Sequence, residues 1–189
     1  TSFADSLFSH ESIKDVVREI TDHVIDKLGF EDCVIYLLEP ESDLLKQFTA
    51  YGPKNSNGYI QDPITLRLGE GIVGATAKSH PPQVINDTSK DARYIIDDQR
   101  RASEMSGPII HQEELIAVID SEHSQKNFFT KDHLNTMKVI ASLAGIKLKK
   151  IIERQKREES ETQRLELLTK KEAVQRSLRE SEGRMRAII

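Results

Sequence analysis

The chain has 189 residues, of which 37% are hydrophobic and 31% charged, with one cysteine, a net charge of -4 and a pI of about 5.9. That balance fits one ordinary domain plus a highly charged segment, and it offers no overall positive field for nucleic acid or anionic lipid. No apolar run approaches the roughly 18 residues of a membrane span. The N-terminus lacks a signal-peptide pattern and one cysteine excludes an internal disulfide framework, so the expected location is a reducing cytoplasm.

Ile13, Val16, Val17, Ile20, Val24, Ile25 and Leu28 share one face of a 3.6-residue repeat. They predict an amphipathic helix that starts near Ser12 and ends at Gly29. Cys33 to Leu38 and Leu44 to Tyr51 read as a hairpin around the turn at 39–43, and the Gly/Asn-rich stretch 52–58 reads as a loop. Ile64, Leu66 and Leu68 alternate with polar residues, as in a half-buried strand. Gly71 to Ser79 has room for two helical turns before Pro81 and Pro82. Further strands are expected at Gln83 to Ile85, Ser103 to His111 and Leu115 to Glu122.

Thr130 is a candidate N-cap, and from there to about Glu182 there is no proline and one glycine, Gly145. One very long helix is predicted. Leu134, Met137, Ala141, Ala144, Leu148 and Ile151 recur at steps of three and four, whereas 153–164 holds no apolar residue. The pattern resumes at Leu165 and Leu168 and shifts register through Val174 and Leu178. A parallel homodimer is therefore expected, with Leu148, Ile151, Leu165, Leu168, Val174 and Leu178 as its seam. The segment from Glu153 carries 10 Lys/Arg against 8 Asp/Glu, and the first 152 residues 17 against 23, so the two regions differ in kind.

Gly69, Gly71 and Gly74 spell G-x-G-x-x-G, and Asp87 follows at the distance of a ribose-binding carboxylate. The strand before them alternates polar and apolar residues, however, and the helix after them stops at Pro81. A dinucleotide fold needs a buried parallel strand and a long crossover there. A turn with positive φ at Gly69 and Gly71, and a close helix approach at Gly74, is the expectation instead.

With Leu68 to Ala75, the segments Pro82 to Asp87, Asp91 to Tyr94, Ser103-Glu104, Pro108-Ile109, Leu115 to Asp120 and Phe129 to Asp132 follow in the order and spacing of a GAF domain. The chain resembles that family over about residues 10 to 152. The resemblance implies an α+β fold: a central antiparallel sheet of about six strands with helices on both sides, plus the long C-terminal helix. The N-terminal helix and the start of the long helix would cover one face, and loops and short helices would close a small-molecule pocket on the other. Ser181 to Ile189 is similar to the opening of a PAS sensor domain. The expected domains are a GAF-like sensory domain at 1–152, a coiled-coil signalling linker at 153–182, and the start of a truncated following domain at 183–189.

In cyclic-nucleotide GAF domains an Asn-Lys pair stands where this chain has Asp120-Ser121, and a Glu stands where it has His133, although Phe128 and Asp132 fit. Cys33 lies in the first strand and reads as a buried structural thiol, and family members that reduce methionine sulfoxide need at least two cysteines. The six histidines show no metal-ligand spacing, so no metal is expected, and His111 and His123 read as solvated strand-end residues. No cofactor is identified.

The polar residues that could converge on a pocket are Tyr51, Arg93, Tyr94, Ser103, Glu104, Ser106 and Asp120. Arg93 either clamps an anionic ligand or pairs with Asp87 or Asp91, and Glu104 is either a ligand acceptor or a surface carboxylate. The leading expectation is a non-catalytic sensory and dimerisation module of a bacterial signal-transduction protein, not an enzyme. It would bind an unidentified small molecule, touch neither nucleic acid nor membrane, and pass its state to an output domain through a parallel coiled coil. Two other readings are a small-molecule enzyme using Glu104, Asp120 or Cys33, and a pure dimerisation scaffold with no ligand.

Overall fold

The computed structural model describes residues 2–39, 41–56 and 59–186, without the side chains of 24–26, 185 and 186. Pro40, Asn57, Gly58, the side chains of Val24 and Ile25, and residues 187–189 of the PAS-like stretch thus lie outside the described residues. The chain divides into two compact units, Thr1–Ile151 and Ile152–Ile189.

The first unit opens on α1 (Phe3–Ser9), a helix the sequence reading did not include. Ser2 and Asp5 close it with a reciprocal capping box, each side chain meeting the other's backbone N–H. Helix α2 (Ile13–Leu28) begins where expected, with Ser12 Oγ accepting from Asp15 N at 3.1 Å, and it buries Val16, Val17 and Ile20 completely. Strands β1 (Cys33–Glu39) and β2 (Leu44–Tyr51) form the predicted hairpin, with an irregularity between Ile35 and Tyr36. In the stretch read as loop, β3 (Asn55–Ser56) and β4 (Tyr59–Ile60) pair as a two-residue ladder. Strand β5 (Thr65–Arg67), helix α3 (Gly71–Ser79), strand β6 (Gln83–Ile85), a 3-10 turn at Thr88–Lys90 and strands β7 (Ser103–His111) and β8 (Glu114–His123) complete the body. Helix α4 runs from Lys131 to Arg186 without interruption, with Thr130 Oγ1 accepting from His133 N at its start.

Six strands form one antiparallel sheet in the order β5-β2-β1-β8-β7-β6. Side chains alternate across it, as the strand period of two requires. Helix α3 lies on the face that carries Val34, Tyr36, Leu45 and Val118, and its Val73 and Ala77 join that cluster. The opposite face carries Cys33, Ile35, Met105, Ile109 and Ile119, all fully buried, and it is covered by α2 and the first turns of α4, with α1 packed on α2. Gly145 of α4 presses on β7: a Cβ there would stand 2.6 Å from the Ile110 carbonyl oxygen.

The glycine question resolves structurally. Gly69 and Gly71 have φ of +91° and +69°. A Cβ at Gly74 would meet the Arg67 carbonyl oxygen at 2.4 Å, so α3 is seated on the backbone of β5. These glycines build a turn and a helix seat.

Two of the expected seam residues are corrected. Leu148 is 0% and Ile151 1% exposed within the first unit, and Met137, Ala141 and Ala144 are buried with them. Their three-four spacing records how α4 covers its own sheet. Steps of three and four mark any apolar helix face, and they do not say what covers it. In the second unit, Leu165, Leu168, Val174 and Leu178 are 46–68% exposed, as is Leu167 at 69%. Among the described residues no helix is long and apolar enough to cross a membrane.

Candidate functional site

Strand register places four polar side chains on the α3 face of the sheet. Glu104 stands directly opposite Glu122, and Ser106 directly opposite Asp120, across the β7–β8 ladder; Val34 of β1 flanks Asp120 on its other side. Like charges directly opposed in a ladder are destabilising, and here the pair is also buried, Glu104 being 4% and Glu122 5% exposed. Asp120 is 6% exposed and Ser106 fully buried.

Glu104, Asp120 and Glu122 floor a cavity roofed by the start of α3 and by Ile95 and Asp97 of the loop 91–101. Its other walls are apolar, Val34, Leu66, Ile72 and Val73 among them. The free space is about 20 Å³, room for about one water molecule. Any larger guest requires the loop to move.

Several polar atoms here make no hydrogen bond: Ser106 Oγ, Asp120 Oδ1, Glu122 Oε1 and, beside them, Arg101 Nη1. Buried polar groups are nearly always paired, so four orphans in one neighbourhood call for an explanation. Burial raises the pKa of each carboxyl, with repulsion from neighbouring acids adding to it. Glu122 is pushed up to about 9, first by burial and then by Asp120. Glu104 is pushed up to about 8, first by burial and then by Glu122, against its hydrogen bond with Asp120, and Asp120 is raised strongly, first by burial and then by Glu104. Asp32 rises to about 7 by burial, against the opposing pull of its hydrogen bond from Glu122 N at 2.6 Å and of Arg101. At neutral pH the acids at the cavity floor therefore hold protons that ordinary carboxyls would have lost.

The covering loop is tied down by charge. Asp97 pairs with buried Lys54 and accepts from Gln47 Nε2, which also donates to Tyr36 Oη at 2.8 Å. Arg101, 3% exposed, reaches Asp98 at 3.2 Å and Asp32 at 3.6 Å.

Of the residues named from sequence, the structure brings Glu104 and Asp120 to the cavity floor, with Ser106 paired to Asp120 in the ladder. Tyr94 stands beside them, its Oη accepting from Arg101 N at 2.8 Å near Glu122. Tyr51, Arg93 and Ser103 lie elsewhere. Tyr51 sits at the end of β2, 38% exposed, and Ser103 Oγ donates to the Gln125 carbonyl at 2.7 Å. Arg93 grips both oxygens of Asp91 and donates to Gln83 Oε1, so it pins the loop rather than facing the cavity. Asp32, Asp97 and Glu122 were missed. For Glu122 the signal was available, since Asp120-x-Glu122 puts two acids on one strand face.

Other expectations resolve away from this site. Cys33 is fully buried at the sheet centre, and burial pushes its thiol pKa up. Asp87 caps the 3-10 turn, accepting from Ser89 and pairing with Lys126 at 2.9 Å, which hold its pKa down at about 2. His123 is not solvated: it is 6% exposed, stacks on Phe128 with ring centroids 3.5 Å apart, and accepts at Nδ1 from Gln125 N.

Solved structures share this architecture. The GAF domain of a phosphoenolpyruvate-protein phosphotransferase from Acinetobacter is 18% identical with a TM-score of 0.68, over 76% of this chain and 86% of its own. A methyl-accepting chemotaxis protein fragment, residues 122 to 287, is 17% identical with a TM-score of 0.68, over 79% and 96%. The free methionine-R-sulfoxide reductase of Neisseria meningitidis, solved with its substrate, is 14% identical with a TM-score of 0.71, over 80% and 87%. That last protein is an enzyme, and it corrects the expectation that a chain of this kind is not one: the fold also carries catalysis. At these identities the likeness speaks for the fold alone. No functionally curated relative matches the chain. The GAF domain family model matches residues 10–149, most of the chain, and the protein belongs to the GAF domain family.

Proposed function

We propose that this GAF domain is the ligand-responsive module of a bacterial signal-transduction protein, and that it acts as a homodimer whose long helix carries the response to an output domain. The observation behind the ligand is the cavity floor. Glu104, Asp120 and Glu122 are buried at the cavity floor, and one oxygen each of Asp120 and Glu122 is left without a hydrogen-bond partner. Ligand sites are where such groups persist. GAF folds in a chemotaxis receptor and in a phosphotransferase are consistent with a signalling role.

The proposed coupling uses α4, one continuous helix that is part of the body's core up to Ile151 and then presents apolar residues outward. With Leu148 and Ile151 committed to the body, a parallel coiled coil between two copies must use Leu165, Leu168, Val174 and Leu178, with Leu167 added. The absence of apolar residues over 153–164 leaves that pairing weak enough to change with the state of the body. The stretch from Ser181 onward is proposed to lead into a PAS-like domain.

Native mass spectrometry of the full chain purified without denaturation tests the ligand, and should show a bound small molecule whose removal lowers the melting temperature. A chain that carries nothing and is stabilised by no metabolite in a broad screen would leave only a dimerisation scaffold. Sedimentation tests the helix. Leu178→Glu should weaken self-association about tenfold or more while leaving the melting of the body unchanged, and a parent chain that is monomeric at micromolar concentration would remove the coiled coil.

A further inference from the structure

Within the body, α4 carries two apolar stripes. Met137, Ala144 and Leu148 form the buried one, which covers the sheet. Val139, Leu143 and Ile146 form the other, about half a turn away around the helix. Val139 is 60% and Ile146 45% exposed, and Leu143 is half-buried. Helix α1 ends beside this outer stripe, where Lys147 Nζ donates to the Phe8 carbonyl at 2.9 Å and leaves Phe8 itself exposed. The uncovered apolar surface is thus broader than one helix.

A second observation is independent of exposure and concerns spacing. Val139 and Ile146 stand one heptad apart, and Leu143 divides that interval into steps of four and three. Leu167 and Val174 follow Ile146 by whole multiples of seven residues, and Leu178 follows Leu143 likewise, along a helix that runs without interruption. The change of register expected from the sequence arises only when the seam is started at Leu148. Started on the outer stripe, the repeat keeps one phase throughout. Lys150, Arg157, Arg164 and Lys171 fill the positions equivalent to Leu143 and Leu178 in between.

Resting on the homodimer reading above, we infer that the outer stripe of the body, Val139, Leu143 and Ile146, is covered by the same stripe of a second copy. The contact continues through Leu167, Val174 and Leu178 in one parallel, unshifted register. It adds a body-to-body interface to the tail contact and narrows the seam there: Leu168 flanks the repeat, and Leu165 falls outside it. The repeat itself selects this partner and this direction. Parallel, unshifted pairing sets each of the six apolar residues on its own counterpart. Antiparallel pairing that brings Val139 onto Leu178 sets Ile146 on Lys171 and Leu167 on Lys150. A parallel slip by one heptad sets Leu143 on Lys150. In the unshifted dimer the basic residues of the middle meet their like, so the two apolar ends hold the copies together and the middle does not.

Single introduced cysteines report the register, because the native Cys33 is free and fully buried. Ile146→Cys and Val174→Cys, each in the full chain under mild oxidation, should form covalent dimers about tenfold or more faster than Lys138→Cys, which is exposed on the same helix but off the repeat. In sedimentation, Ile146→Glu should weaken self-association about tenfold or more while the body melts as in the parent. If that variant melts lower, Val139→Glu takes its place with the same expectation. Cross-linking at Val174→Cys without cross-linking at Ile146→Cys would overturn the inference and leave a dimer held by its tails. Equal rates at Ile146→Cys and Lys138→Cys would overturn it as well, since they report random collision. A chain that sediments as a dimer but cross-links at neither seam position is paired in another register, which also overturns it. A chain that is monomeric at micromolar concentration would defeat the homodimer reading along with it.

Discussion

The two faces of the sheet are made by the same strands and have opposite characters. On one face Cys33, Ile35, Met105, Ile109 and Ile119 meet α2 and α4 in a dry, apolar contact with glycines pressed against backbone. On the other, the neighbouring residues of β7 and β8 are Glu104, Ser106, Asp120 and Glu122, equally buried, with an oxygen each of Ser106, Asp120 and Glu122 left unmatched. The difference teaches that burial alone does not mark a core: an apolar face need only be packed, whereas carboxyls taken out of water must change protonation or find partners.

The comparison breaks most sharply on the apolar face. Leu148→Asp places a carboxylate where no polar partner is available and should cost about 4–5 kcal/mol, unfolding the body in circular dichroism and urea melts. A folded monomer from this variant would return Leu148 to the dimer seam. On the cavity side, Lys54→Met leaves Asp97 buried without its cation and should lower stability by about 3 kcal/mol in urea unfolding. A neutral effect would mean that the covering loop is not held by this pair.

The smallest effect concerns pH, and it distinguishes the faces without a mutation. Asp32 and Glu122 have folded pKa values of about 7 and 9, above the ordinary 3.8 and 4.5. Raised acids stabilise the fold in full below their ordinary values, and that stabilisation is lost as pH climbs through the folded ones. Asp87, held at about 2, works the other way: its contribution is present above 3.8 and fades towards pH 2. The ligand-free protein should thus be most stable near pH 4 and lose stability progressively from there to pH 9, as read by thermal melts. Glu122→Gln should flatten that alkaline decline, and a decline of unchanged slope would show that Glu122 is not its source.

Much of the fold was legible because local signals were strong. The apolar face of α2, the alternation at Leu66 and the Gly71 to Pro81 interval each carried their own punctuation, and the elements fall there. Helix α1 was missed although Ser2 and Asp5 spell a capping box, since only Phe3 and Leu7 follow to mark a face. The two-residue ladder of β3 and β4 is too short for any periodicity to show. At the site, Glu104, Ser106 and Asp120 were named singly, but their convergence is a property of register, which belongs to the pairing of β7 with β8 and not to either strand. Asp32 and Asp97 arrive from a turn and a loop that only the folded chain brings near. Leu148 and Ile151 show the same limit from the other side: their periodicity fixed a helix face, and its neighbour was decided by tertiary packing.

Strand β7 is the single layer of backbone between the acids and the long helix. Glu104 and Ser106 hang from one side of it, while Gly107 lies under Met137 and the Ile110 carbonyl lies against Gly145 on the other. Where a glycine meets main chain there is no flexible side chain to absorb a small displacement. The floor of the cavity and the seat of α4 thus share one thickness of main chain, like the two sides of a thin diaphragm.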